Sequence, residues 1–187
     1  MKLLTTILAF LSIAAQSPNE WLMPDAQFVR FKNRRGPKGE GSCVYAANSM
    51  VGAHHGIPGA EYFLEPWEGH PPCMDGSYPS RFIQDCQERG LDYWSIEGPE
   101  TIDWIVWNLQ RGGYCGITYG VGHMITVAGY DESTNTFELR DNNYPGESRF
   151  VNRDTFVREH RIHGGGWCTI PKTAGPPPWA NAGEPRQ

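Results

Sequence analysis

Cys43 sits in the stretch GEGSCVYAANSM, between small, flexible residues and the start of a helical pattern. The first turn of a helix offers unpaired backbone N–H groups and the positive end of the helix dipole. Both favour a thiolate over a thiol. Gly39 and Gly41 keep the approach open to a substrate backbone, and the same N–H groups could hold an oxyanion. Taken alone, the segment also suits a half-buried structural cysteine or a disulfide partner. Further along, His123 opens HMITVAGYD directly after GVG. Two-residue alternation puts His123, Ile125 and Val127 on one face of a strand. The turn at DESTNT returns the chain as TFELRD, where Phe137, Leu139 and Asp141 share a face. With both apolar sets facing the core, His123 and Asp141 lie on the same side of one hairpin. A sulfur nucleophile, an imidazole base and a carboxylate that orients the ring are the parts of covalent acyl transfer. An Asp before NNYPG also reads as an ordinary turn residue, and Asn142 or Asn143 could orient the ring through a side-chain carbonyl. Asp141 is favoured because it continues the inward parity of Leu139.

Other candidates carry less. His54 and His55 are adjacent at a helix end and diverge by about 100°, which makes a poor chelating pair. His70 with Cys73, and His160 with His163, have ligand-like intervals but no second half. The chain has no HExxH, no CxxC and no glycine-rich phosphate loop. No metal and no cofactor are expected.

These residues need elements to hold them. A helix is predicted from an N-cap at Ser42 to a stop at Gly56, then a Gly- and Pro-rich loop over 57–76. Helices follow at 79–89 and 99–111, the second with Pro99 in its first turn. The period then shortens to two, giving strands at 114–119, 123–131, 136–141 and 148–151. A short helix at 154–160 and a strand at 166–170 complete the pattern. Helices first and antiparallel strands later describe an α+β domain: an N-terminal helical half, with the nucleophile at a helix N-terminus, packed on a C-terminal antiparallel sheet.

The chain of 187 residues suits one domain, and its net charge of -5 argues against wrapping nucleic acid. Seven tryptophans point to a folded domain rather than a solvated chain. Residues 1–17, MKLLTTILAFLSIAAQS, read as a secretory signal, leaving a domain over 18–171 and a disordered Pro- and Gly-rich tail over 172–187. Residues 18–40 read as an extended lead-in. The expectation is therefore a secreted or periplasmic monomer, free of the membrane once the signal is cut. Five cysteines outside the cytoplasm leave one unpaired. Pairing Cys73–Cys86 and Cys115–Cys168 would leave Cys43 as the free thiol.

At this point the chain resembles the papain-like cysteine peptidases, and among them the bacterial double-glycine leader peptidases. GSC followed by VYAA is similar to the family's nucleophile segment, GHMITVAGYD to its histidine segment and ELRDNNYPGE to its Asp/Asn segment. The order Cys, His, Asp/Asn also agrees, and the likeness spans roughly residues 37–170. The resemblance implies Cys43 as nucleophile, His123 as base, Asp141 as orienting residue and a peptide or protein as substrate. One departure stands out. The family's glutamine before the nucleophile is absent, with no Gln between Gln27 and Cys43; Lys38 or an Asn would have to donate instead. The function expected is a secreted cysteine peptidase. A cell-wall amidase or endopeptidase with Cys–His chemistry and a non-catalytic secreted binding module are the alternatives. Tyr45, Trp67, Trp94 and Trp104 could line a cleft between the helical and sheet halves, or could be core.

Overall fold

The computed structural model describes residues 29–35, 41–162, 164–173 and 175–180. The proposed signal at 1–17, the lead-in up to residue 28, Lys38, Gly39, His163 and the end of the proposed tail lie outside the described residues. Four α-helices are present among those described: α1 Cys43–His55, α2 Pro79–Glu88, α3 Thr101–Leu109 and α4 Arg153–His160. Six strands, β1 Tyr93–Glu97, β2 Cys115–Thr118, β3 Met124–Asp131, β4 Thr136–Arg140, β5 Ser148–Asn152 and β6 Trp167–Pro171, form one sheet in the order β1-β6-β2-β3-β4-β5. Every pairing in it is antiparallel.

The two faces of the sheet carry different helices, as strand alternation requires. Met124 of β3 and Trp167 of β6 pack under α1 and α2 with Tyr45, Phe63, Phe82, Cys86 and Tyr93. Ile125, Val127, Phe137, Leu139, Cys168 and Ile170 point to the other face, against Ile102, Ile105 and Leu109 of α3 and Phe156 of α4. A bulge between Val127 and Gly129 resets the β3–β4 register and sends Ala128 to a small cluster with Phe31, Met50, Val51 and Tyr114.

The helix that bears Cys43 is unusual in having residues 43–52 all buried. It lies in the middle of the molecule, and polar latches as well as apolar contacts seat it. Asn48 Nδ2 donates to the Val44 carbonyl at 2.8 Å, and its Oδ1 accepts from the Thr169 hydroxyl of β6 at 2.7 Å. Thr126 of β3 donates to the Ala47 carbonyl at 3.1 Å. Gly52 lets the helix touch Ala60, where a Cβ would lie 2.5 Å from the alanine's own. The helix stops at Gly56, which takes the left-handed conformation at φ 61°.

Several expectations shift. Strand β1 was not foreseen: YWSIE lies between two helical patterns, and its five residues are too short a run to outweigh them. It pairs with β6, the last strand, which lies between β1 and β2. Helix α3 begins at Thr101 rather than Pro99, because the Thr101 hydroxyl and N–H both reach back to the Gly98 carbonyl. Asn152 caps α4, its side chain accepting the Thr155 N–H at 2.9 Å. Within the stretch read as a tail, Lys172 hydrogen-bonds Asp92 through its backbone and pairs with its carboxylate, and Pro177 is buried.

The expected disulfides do not form: all five cysteines are free. Cys168 stands opposite Ile117, so Cys115 is its diagonal neighbour on the same face. Diagonal strand positions lie about 7–8 Å apart, beyond the usual span of a disulfide. The Cys73 sulfur instead accepts a hydrogen bond from Arg89 at 3.4 Å.

Candidate active site

The site forms where α1 begins and the β3–β4 hairpin ends. Cys43 is the first residue of α1 and is 8% exposed. Ser42 occupies the N-cap position but caps nothing with its side chain. Its hydroxyl instead accepts from the Arg34 N–H at 2.8 Å and donates to the Arg34 carbonyl at 3.1 Å. The first-turn N–H groups are thereby left to other acceptors, and the Val44 backbone helps to lower the Cys43 thiol.

His123 immediately precedes β3. It follows a turn in which Gly120 and Gly122 take φ of 66° and 64°, a conformation that side chains with a Cβ resist. The Tyr119 N–H closes that turn on the His123 carbonyl at 3.0 Å. Thr126 lies opposite Arg140. His123 precedes β3 and Asp141 follows β4, so both lie just off the same end of the hairpin. His123 Nε2 donates to Asp141 Oδ1 at 2.9 Å, so Nδ1 is the nitrogen left for the Cys43 sulfur, with which the ring interacts electrostatically. The structure therefore brings Cys43, His123 and Asp141 together.

The electrostatics follow from these contacts. Burial pushes the Cys43 thiol up, but the hydrogen bond with His123, the Met124 and Val44 backbone and the imidazole charge together leave it below its ordinary value. Burial likewise pushes His123 down; Asp141 and the sulfur outweigh it and raise the imidazole to about 9. Burial pushes Asp141 up, and the imidazole and the Asn143 N–H, at 2.9 Å, hold it below the usual carboxylate range. The arrangement shifts the pair toward a thiolate beside an imidazolium.

Asparagines complete the surroundings. Asn143 Nδ2 lies 3.1 Å from His123 Nε2, and Asn33 Nδ2 donates to Asn143 Oδ1 at 2.9 Å. Asn142, weighed as an alternative orienting group, faces away from the ring: its Nδ2 donates to the carbonyls of Cys43 at 3.2 Å and Met124 at 2.8 Å. The part played by Asn33 was not legible, because it precedes the nucleophile in a stretch without periodicity.

The remaining candidates are structural. His54 and His55 bond the carbonyls of Gly112 and Tyr114. His160 is enclosed between Thr101 and the Thr118 carbonyl. Tyr45 is fully buried and hydrogen-bonds Asp85, and Trp67 packs on Gly59. Trp94 and Trp104 cluster with Trp107 on the far face of the sheet. None of these four lines a cleft at the sulfur. Among the described residues, no three His, Cys, Asp or Glu side chains converge as a metal site.

No family model and no curated protein matches the chain. Solved structures do. One is a double-glycine-motif protease from an AMS/PCAT transporter in complex with the leader peptide, at 16% identity and TM-score 0.46, covering 75% of this chain and 93% of that one. A second is the peptidase domain of Streptococcus ComA, a bi-functional ABC transporter, at 14% identity and TM-score 0.46, covering 76% and 99%. A third is the N-terminal peptidase C39-like domain of the toxin secretion ATP-binding protein from Vibrio parahaemolyticus, at 10% identity and TM-score 0.45, covering 70% and 97%. The chain is similar to these papain-like peptidase domains in its mix of helices and antiparallel sheet. The secreted or periplasmic placement is corrected on this comparison. The similar structures belong to transporters and to a secretion ATP-binding protein, none of them described as a free exported enzyme.

Proposed function

We propose that this protein is a cysteine peptidase that cleaves peptide bonds through a covalent acyl-enzyme. The observation that carries the reading is the juxtaposition at the start of α1: the Cys43 sulfur in electrostatic interaction with His123, whose Nε2 donates to Asp141 Oδ1 at 2.9 Å. The Cys43 thiolate attacks the carbonyl carbon of the scissile bond, and the oxyanion that forms lies against the first-turn N–H groups of α1. Collapse of this intermediate breaks the C–N bond, and His123 gives its proton to the departing amine, leaving a thioester on Cys43. His123, now neutral, takes a proton from water. The hydroxide attacks the thioester and releases the acid and the thiolate. Asp141 holds the ring with Nδ1 toward the sulfur and stabilises its charged form.

A peptidyl epoxide or vinyl sulfone tests this. The wild type should be labelled at Cys43 with loss of activity on casein or a peptide library, and Cys43→Ala should not be labelled. Labelling no faster than a free model thiol would leave a non-catalytic binding module instead. Cleavage of peptidoglycan without cleavage of casein would favour the amidase reading.

A further inference from the structure

Asn142 is fully buried beside the site, yet its described side-chain hydrogen bonds go to neither the sulfur nor the ring. Its two amide protons go to two carbonyls on different layers of the fold, that of Cys43 at the start of α1 and that of Met124, the residue after His123. Asn142 Oδ1 has no partner among the described residues. The side chain is thus held in place by its two donors, and flipping the amide would turn its oxygen against both carbonyls. Its own carbonyl accepts the Asn33 N–H at 2.8 Å, which ties the residue to the segment running into α1.

We propose that Asn142 is a positioning residue that sets the spacing of Cys43 and His123 by hydrogen-bonding the backbone beside each. The inference rests on the catalytic reading above but adds a role the pair cannot supply for itself. Sulfur and imidazole come from segments far apart in sequence and from different layers, and small errors in such a spacing are costly. A misplacement of about 1 Å can lower a rate roughly 10²-fold. The other latches on α1, Asn48 to Thr169 and Thr126 to Ala47, bond the helix further along. They seat the helix on the sheet without bonding Cys43 itself. Among the described hydrogen bonds, those of Asn142 alone connect the Cys43 backbone to the strand that follows His123.

Three forms of the full chain test this: wild type, Asn142→Asp, which keeps the shape and loses both donors, and Asn142→Ala. In the folded variants, kcat should fall by about 10²-fold with little change in KM. The pH midpoint for alkylation of Cys43 by iodoacetamide should move up toward that of an ordinary thiol. Thr126→Val, which removes a helix latch away from the pair, should keep the wild-type kcat and midpoint whatever it does to stability. A second readout uses the unsubstituted protein: the Asn142 side-chain amide signals in an NMR spectrum should shift when Cys43 is alkylated. A folded Asn142 variant with the wild-type midpoint, or amide signals indifferent to alkylation, would overturn the proposal. Because both the midpoint and the NMR readout need no substrate, they decide the positioning role even if no peptide is cleaved, and a failure of the peptidase reading is seen separately as absent turnover in the wild type.

Discussion

The same two residue types occur in two regions of this molecule with opposite consequences. At the start of α1, Cys43 and His123 face each other with Asp141 behind the ring. On the far face of the sheet, Cys115 and Cys168 are packed among apolar side chains, and His160 is enclosed by a threonine hydroxyl and a carbonyl. Burial acts alike in both places: it pushes thiols up and imidazoles down. In the second region it wins. Cys115 and Cys168 are raised, and His160 is lowered even though the Thr118 carbonyl opposes the shift. In the first region the partners are charged or become so, and they reverse the sign for both groups. Depth alone therefore does not set the direction of the shift; a second ionisable group close by does.

Substitutions can break this contrast, beginning with the largest effect. Cys43→Ala should abolish peptide hydrolysis while leaving the fold intact, which circular dichroism and a turnover assay would establish together. His123→Ala should lower kcat/KM by about 10²–10⁴-fold, the range for loss of a general acid–base. It should also return the Cys43 thiol to or above the ordinary range, since burial would then be opposed only by the Met124 and Val44 backbone. Asp141→Ala removes a hydrogen bond to a charged ring, worth about 1.5–3 kcal/mol. It should therefore cost roughly 10- to 100-fold in kcat/KM and draw the alkaline limb of the rate profile down from the value near 9 that the intact pair gives His123. Cys115→Ala, by contrast, should leave kcat/KM unchanged and only lower the melting temperature, because it removes a buried sulfur that takes no part in the chemistry.

The histidines sharpen the comparison at smaller scale. His123 is raised in the folded state, so its contribution to stability is complete below an unfolded value of about 6.5 and is lost as pH rises through about 9. His54, His55 and His160 are lowered mainly by burial, so theirs is present above about 6.5 and is lost as pH falls below it. An NMR titration of the imidazole signals should show one histidine titrating above the ordinary value and these three below it. Four unperturbed curves would contradict the contrast.

Much of the site was legible in the sequence because it depends on short-range geometry. Strand parity alone put His123 and Asp141 on one side of a hairpin, and GEGSCVYAA marked a helix start. The legible part stopped where long-range packing decides. Helix α1 is buried along all of residues 43–52, so its burial does not single out the face that meets the sheet. Strand β1 is defined by its pairing with β6, seventy-odd positions later, and five residues of local pattern could not announce that. Ser42 was read as a cap, yet its hydroxyl turns to Arg34, a partner that only the fold brings near. The cysteine pairings failed for a related reason: spacing along the chain carries no information on whether two strand positions are directly opposed or diagonal.

The central claim is that an imidazole, and not the helix start alone, keeps the Cys43 sulfur ionised. The rate of Cys43 alkylation by iodoacetamide, followed across pH in the wild type and in His123→Ala, tests it most directly. The account predicts a wild-type midpoint clearly below the ordinary thiol value of about 8.5, and a midpoint at or above that value once the imidazole is gone. A wild-type midpoint at the ordinary value, or one that does not move when His123 is removed, would contradict it.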